Sequence, residues 1–155
     1  MKKFLLFILL LMAALYAEAQ CTQPYKTFNQ FANDTTAFLR YNFKTRADCY
    51  KGKTVADVLR DLQLTPQSFV TLPSTRVNKY EGISIHVDNS TILERLQNPS
   101  KAMKKTQEIY IYWPELMDDT NMTTLRRTYD NGGAWIQQYY DFFKNMIVGE
   151  VKYYK

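Results

Sequence analysis

The sequence predicts an α+β fold, with a mostly antiparallel sheet of about four strands and helices packed on one face of that sheet. Some segments alternate apolar and polar residues, which is the period of a half-buried strand. Others repeat apolar residues every three or four positions, which is the period of a helix that faces a core. The segments do not follow a regular strand-helix-strand order, and this favours antiparallel pairing.

Two helices are predicted in the first part of the chain. Residues 24–43 carry apolar side chains at steps of three and four, and Pro24 suits the first turn of a helix. Thr54, with Asp57 three residues later, resembles a capping box that opens a second helix, and Pro66 bars its continuation. The side chains of the first helical stripe are Tyr25, Phe28, Ala32, Thr35, Leu39 and Phe43.

Four strands are predicted. The first spans Ser68 to Leu72 and is followed by a loop over residues 73–80. Gly82 to Asp88 and Glu108 to Trp113 alternate in polarity, and Ile147 to Tyr154 has the β-rich composition of a terminal strand. The side chains that alternation assigns to the buried face are Ile83, Ile85, Val87, Ile109, Ile111 and Trp113.

The remaining segments are predicted to be short helices, loops and turns. Residues 90–96 have the composition of a short helix, and a loop follows from Pro99. Glu115 to Asp119 lie in a polar loop, and Asp130 to Gly133 mark a turn between two helices. The second of those helices carries Trp135, Tyr139, Phe142, Phe143 and Met146 at helical spacing.

Residues 1–19 are predicted to be a secretion signal, and residues 20–155 a single globular domain. Lysines precede an apolar run over residues 4–15, and the small side chains of Ala17 and Ala19 fit a signal-peptidase site. A retained membrane anchor would need a longer apolar run. We therefore expect a secreted or periplasmic protein with no transmembrane segment after cleavage.

Cys21 and Cys49 are the two cysteines of the chain. An oxidising compartment favours a disulfide between them, so we predict that they pair. Two unpaired thiols are the alternative, because Cys21 would lie near a new terminus. A lipid anchor on Cys21 is disfavoured, since Gln20 is not the small residue that usually precedes an acylated cysteine.

Charge and composition disfavour several classes of function. The formal net charge of +5 is modest and is spread along the chain, so no nucleic-acid partner is expected for an exported protein. His86 is the only histidine, which removes most zinc sites and most acid-base constellations. We predict neither a metal site nor a cofactor.

Tyr110, Tyr112 and His86 are the candidate ligand-binding residues. Alternation places them on the sheet face opposite the core, where tyrosine gives rigid contact area with a polar tip. If a helix or loop covers that face, they become residues of a second core instead. Ser84, His86 and Asp88 do not predict a catalytic triad, because neighbours two apart on a strand lie about 6.6 Å apart.

These observations favour a non-enzymatic module that binds a glycan, a peptide or a protein. The alternative is a hydrolase that uses carboxylates from the loop over Glu115 to Asp119. The two hypotheses predict different surfaces, since the first needs a shallow aromatic face and the second needs two carboxylates that converge in a cleft. No catalytic residue is assigned.

The body of the chain resembles small uncharacterised secreted proteins of Bacteroidota. The resemblance is carried by Tyr50-Lys51-Gly52-Lys53, by the strand over Ile109 to Trp113 and by the helix-strand ending over Trp135 to Tyr154. It implies export and no known activity, so it transfers no catalytic residue to this chain.

Export with cleavage after Ala19 is the first testable prediction, because small residues follow an apolar run of signal length. Intact-mass spectrometry of protein from the envelope fraction should give the mass of residues 20–155. A product that retains residues 1–19, or one that carries acyl chains on Cys21, would contradict the prediction.

Overall fold

A computed structural model describes residues 21–87, 107–129 and 132–155. Within these ranges four strands form one antiparallel sheet, and their order in the sheet is their order along the chain. This confirms the predicted α+β class. The strands are β1 (Ser68–Pro73), β2 (Lys79–His86), β3 (Glu108–Asp118) and β4 (Glu150–Tyr154).

In the described residues four α-helices accompany the sheet: α1 (Thr35–Arg40), α2 (Val55–Leu62), α3 (Asp119–Thr128) and α4 (Gln137–Phe143). Single turns of 3₁₀ helix occur at Phe28–Phe31 and Ala47–Tyr50, and a π-helical turn occurs at Tyr41–Thr45. In the described part of the chain no helix combines the length and the apolarity that crossing a bilayer requires. The predicted signal over residues 1–19 and the predicted helix over residues 90–96 lie outside the described residues.

The inner face of the sheet builds the core with the helices. Phe143 of α4 stands against the rings of Phe69, Trp113 and Trp135, with centroid distances of 5.6, 6.0 and 6.1 Å. The burial of the alternating isoleucines of β2 and β3 confirms the predicted inner face. The buried apolar side chains that the strands contribute to the core are Phe69, Ile83, Ile85, Ile109, Ile111, Val151 and Tyr153.

The prediction of one long helix over residues 24–43 is wrong. Ala32 and Asn33 adopt left-handed backbone angles, with φ of 50° and 63°. Asp34 then caps the shorter helix α1, since its carboxylate accepts a hydrogen bond from the amide of Ala37 at 3.0 Å. Asparagine and aspartate favour such local turns and caps, which interrupt a helix that apolar spacing alone would continue.

A buried asparagine explains why the predicted helix does not include the segment around Lys26. The Asn42 side chain donates to the carbonyl of Lys26 at 2.8 Å and accepts from its amide at 3.3 Å. The side chain thus replaces a backbone partner for this segment. A helix through Lys26 would leave the buried amide of Asn42 without these partners, so the tertiary contact outweighs the apolar spacing.

The predicted capping box is confirmed at α2. The amide of Asp57 donates to the Thr54 hydroxyl at 3.2 Å, and the Asp57 carboxylate accepts from the amide of Thr54 at 3.1 Å. The helix ends at Gln63, which adopts a left-handed φ of 52° ahead of Pro66. Both ends of α2 therefore follow from local sequence chemistry.

The loop predicted over Glu115 to Asp119 is wrong, because β3 continues to Asp118. Gly82 pairs with Tyr112, whereas Tyr80 pairs with Met117, so residues 113–116 of β3 oppose Glu81 alone. This wide bulge accommodates Pro114 inside the strand, since a bulged residue need not donate to the ladder.

Smaller differences concern the ends of elements. The predicted loop over residues 73–80 already includes the start of β2 at Lys79. Helix α4 and strand β4 are both shorter than the patterns over residues 135–146 and 147–154 predict. Backbone contacts explain the late start of β4, because the amide of Val148 donates to the carbonyl of Lys53 outside the sheet.

A disulfide joins Cys21 to Cys49, which confirms the predicted pairing. Arg46 reinforces the link, since its Nε donates to the carbonyl of Gln23 at 2.9 Å and its Nη1 to the Asn42 side chain at 3.2 Å. The guanidinium also lies 5.4 Å from the ring centroid of Tyr25. The segment that begins at Cys21 is therefore fastened covalently and by a buried cation.

Loss of the disulfide is expected to lower the free energy of unfolding by about 2 to 4 kcal/mol, because the bridge constrains the unfolded chain. Urea unfolding of Cys49→Ser should show this loss, and reduced wild-type protein is the matched control. A variant within about 0.5 kcal/mol of the oxidised wild type would show that the Arg46 contacts alone secure the segment.

Candidate functional site

The outer face of the sheet, opposite the core, holds the residues that the sequence singles out for binding. The strand register aligns Ser84 and Lys152 on either side of Tyr110. It likewise aligns His86 with Glu108 and Tyr112 with Glu150. The outer-face residues of β2, β3 and β4 that build the site are Ser84, His86, Glu108, Tyr110, Tyr112, Glu150, Lys152 and Tyr154.

The carboxylate of Glu108 organises one end of this face. Its Oε2 accepts hydrogen bonds from the Ser84 hydroxyl at 3.0 Å and from the Tyr110 hydroxyl at 2.8 Å. Its Oε1 lies 3.7 Å from Nε2 of His86. Because Ser84 donates to a carboxylate and not to an imidazole, the arrangement is a structural polar cluster and not a nucleophile with its base.

The expectation that His86 is exposed is wrong, since only 4% of its surface is accessible. Ser84 beside it is buried as well. Alternation assigns a side chain to a face, but it does not tell whether other residues cover that part of the face. At the end of the outer face that carries His86 and Ser84 the side chains are therefore covered, which is the alternative that the sequence left open.

Three tyrosines form the other end, and we name Tyr110, Tyr112 and Tyr154 the tyrosine cluster. Tyr110 and Tyr112 have nearly parallel rings with centroids 6.3 Å apart, and Tyr154 meets Tyr110 edge-on at 4.8 Å. Such aromatic contacts hold the rings in defined orientations. Tyr154 is 51% exposed, whereas Tyr110 and Tyr112 are half-buried.

A lysine and a glutamate border the tyrosine cluster. The ammonium of Lys152 lies 4.7 Å from the ring centroid of Tyr112 and 2.9 Å from the carboxylate of Glu150. The hydrogen bond to Glu150 raises the pKa of Lys152, so the ammonium stays charged at neutral pH. The accessible part of the face therefore combines aromatic area with one charge of each sign.

Tyr110 and Tyr112 remain neutral hydrogen-bonding groups. Burial, followed by the hydrogen bond to Glu108, raises the pKa of Tyr110 to about 12. Burial also raises the pKa of Tyr112, while the charge of Lys152 acts in the opposite direction. Both phenols keep their protons at physiological pH; the Tyr110 hydroxyl already donates to Glu108 and can accept from a ligand, while the Tyr112 hydroxyl can donate.

The structure brings together Tyr110 and Tyr112 of the predicted residues, and it places His86 in the buried part of the same face. Sequence reasoning missed Glu108, Lys152 and Tyr154. Alternation along the terminal strand contains the relevant signal, because Val151 and Tyr153 face the core and leave Lys152 and Tyr154 on the other side. Alternation does not reveal the register between β3 and β4, which sets these residues beside Tyr110.

Two carboxylates of the segment from Glu115 to Asp119, those of Asp118 and Asp119, have structural partners. Asp118 forms an ion pair with Lys79 across the strands, and Asp119 accepts a hydrogen bond from the Thr123 hydroxyl at 2.7 Å. Among residues 21–87, 107–129 and 132–155, no group of three or more metal-ligating side chains converges. The first contact joins β3 to β2, and the second lies within α3.

Comparison with models of protein families, with curated proteins and with solved structures found no match. The functional interpretation of this chain therefore depends on the geometry of the outer face.

Tyr110→Phe is expected to make the protein less sensitive to alkali. The pKa of Tyr110 is about 12 when folded and 10.0 ordinarily, so the folded chain holds this proton more tightly than the unfolded chain. Stability from this group is complete below about pH 10 and is lost as the pH rises through about 12. Urea unfolding across this window should show a shallower decline for Tyr110→Phe than for wild type.

The variant Glu108→Gln supplies a second measurement of the same effect. It removes the carboxylate that contributes to the raised pKa of Tyr110, and it should also flatten the alkaline decline. Declines of equal steepness in wild type and both variants would show that the folded state does not retain this proton.

Proposed function

We propose that this protein is an exported, non-enzymatic binding module that contacts a glycan, peptide or protein through the outer face of its sheet. The observation that carries the proposal is the tyrosine cluster, which borders Lys152 and Glu150 and of which Tyr154 is half exposed. An accessible aromatic surface with charged neighbours is typical of recognition sites.

Preorganisation of the cluster supports this function. Tyr110 is held by the Glu108 carboxylate at 2.8 Å, and its ring contacts both Tyr112 and Tyr154. Side chains that are already fixed lose little entropy when a ligand arrives. The strands beneath the cluster add rigidity, because a site on a sheet is positioned more accurately than one on a loop.

A glycan fits this surface best among the three ligand classes. The face of a sugar ring packs against an aromatic ring, while its hydroxyl groups need donors and acceptors at the edge of that contact. Tyr154 offers the ring, and Lys152 and Glu150 offer a donor and an acceptor. A peptide or a protein remains the alternative ligand of the same face.

Export from the cytoplasm is part of the proposal. The disulfide between Cys21 and Cys49 agrees with it, because such bonds persist in oxidising compartments. The predicted signal over residues 1–19 and the resemblance to secreted Bacteroidota proteins point in the same direction. The disulfide, the predicted signal and the resemblance together support a secreted or periplasmic location.

Tyr154→Ala is expected to weaken ligand binding about tenfold, because it removes the most exposed ring of the cluster. The affinity is measured by titration calorimetry with an oligosaccharide that a glycan array identifies. The matched control is Tyr129→Ala, since Tyr129 is 39% exposed and follows α3, outside the strands that carry the tyrosine cluster. Binding should be unchanged in this control.

A second variant, Tyr112→Ala, is measured for both stability and binding. Tyr112→Ala should cost about 1 to 2 kcal/mol of stability, less than a fully buried aromatic residue, and should also weaken binding. Equal loss of affinity in Tyr129→Ala, or full affinity in Tyr154→Ala and Tyr112→Ala, would contradict the proposed face. If the ligand is a peptide or a protein and its binding is lost in the same variants, the proposed face stands and the ligand class changes.

A further inference from the structure

We propose a second binding site, independent of the tyrosine cluster, in a cleft beside the bulge of β3. The cleft takes one bulky apolar side chain of a partner peptide, next to which the peptide carries a basic residue. The lining residues of the cleft are Trp113, Pro114, Glu115, Met117, Met146 and Ile147.

The first wall of the cleft is the part of β3 that extends past β4. Pairing with β4 ends at Tyr112, whose carbonyl accepts a last hydrogen bond from the amide of Gly149 at 2.7 Å. Beyond that point the bulge over residues 113–116 turns Pro114 and Glu115 toward solvent. Beyond Tyr112, β3 therefore no longer pairs with β4 and forms one side of the cleft.

The second wall, Met146 and Ile147, is fixed by the start of α2. The amide of Val55 donates to the carbonyl of Met146 at 3.0 Å, and Ile147 forms a bridge with Thr54. The two walls meet at Gly149, where an added Cβ would lie 2.8 Å from the nitrogen of Pro114. Backbone contacts therefore preform the cleft before any ligand arrives.

The size of the cleft favours a single side chain as its occupant. Its volume is about 220 Å³. Pockets for small organic ligands commonly measure about 300 to 1,000 Å³. A cavity of about 150 Å³ in another protein is large enough for benzene, so an aromatic ring or a leucine fits here. Anchors of this kind supply much of the energy of protein interfaces.

The chemistry of the lining indicates what accompanies the anchor. Met117 and Met146 are flexible and polarisable, and they adapt to different apolar groups. Glu115 is the one charged residue among those that line the cleft, is exposed, and forms no ion pair with a described residue. A basic residue beside the anchor would complement it.

The indole of Trp113 lines the cleft and stacks on Phe143 of the core, with centroids 6.0 Å apart. Its Nε1 is buried and donates to no acceptor within the described ranges. A side chain seated in the cleft changes the surroundings of this indole, so the indole proton signal can report on binding.

A peptide library displayed on phage, panned against the exported chain, tests the site. We expect enriched peptides to place Leu, Phe or Trp next to Lys or Arg. Ile147→Asp puts a charge into the cleft at a residue that is 47% exposed. It should weaken the binding of a synthetic enriched peptide about tenfold. Glu115→Lys should weaken the binding of the same peptide, because the new lysine repels the basic residue of the peptide.

Val77→Asp is the matched control, because it exchanges an 86% exposed valine at another site for the same charge. Peptide affinity should be unchanged in this control and in Tyr154→Ala, which belongs to the proposed glycan face. The indole proton signal of Trp113, assigned through Trp113→Phe, should shift on peptide addition.

Three results would overturn the site: no enrichment over panning against Ile147→Asp, peptide affinity that survives both Ile147→Asp and Glu115→Lys, or a Trp113 signal that shifts with protein concentration. The last result would identify a second copy of the chain as the occupant. If Ile147→Asp does not fold, Glu115→Lys on the exposed bulge decides between the outcomes. Loss of glycan binding in Tyr154→Ala is a separate result.

Discussion

The pairing of β3 on both of its edges is the constraint on which the rest of the structure depends. Register with β2 and β4 turns Ile109 and Ile111 into the core and Tyr110 and Tyr112 to the outer face. A slip of one residue would exchange the two sets, placing tyrosine hydroxyls in an apolar core and isoleucines in the polar cluster. Core packing and the proposed ligand recognition therefore depend on the same ladder of backbone hydrogen bonds.

Much of the fold could be predicted from the sequence, because the relevant signals are local. Alternation identified the faces of β2 and β3, and the Thr54 capping box identified the start of α2. The long helix over residues 24–43 failed for the opposite reason, since the contact between Asn42 and the backbone of Lys26 spans distant positions. Apolar spacing does not record such contacts.

The same distinction between local and distant contacts decides which residues of the candidate site could be predicted. Tyr110 and Tyr112 were found because each strand reveals its own two faces, whereas Lys152 and Tyr154 join them only through the register between β3 and β4. The burial of His86 was missed because it depends on more than the strand that carries it. Sequence patterns thus gave the orientation of single residues, while the composition of the site is a property of the assembled sheet.

The bulge of β3 has a consequence for solubility. A strand that extends past its neighbour normally presents a row of unpaired amides and carbonyls, which can template the addition of strands from other molecules. In this chain that stretch contains Pro114, which has no amide hydrogen, and its backbone leaves the plane of regular pairing. The irregularity that shapes the cleft therefore also blunts an edge at which aggregation would otherwise begin.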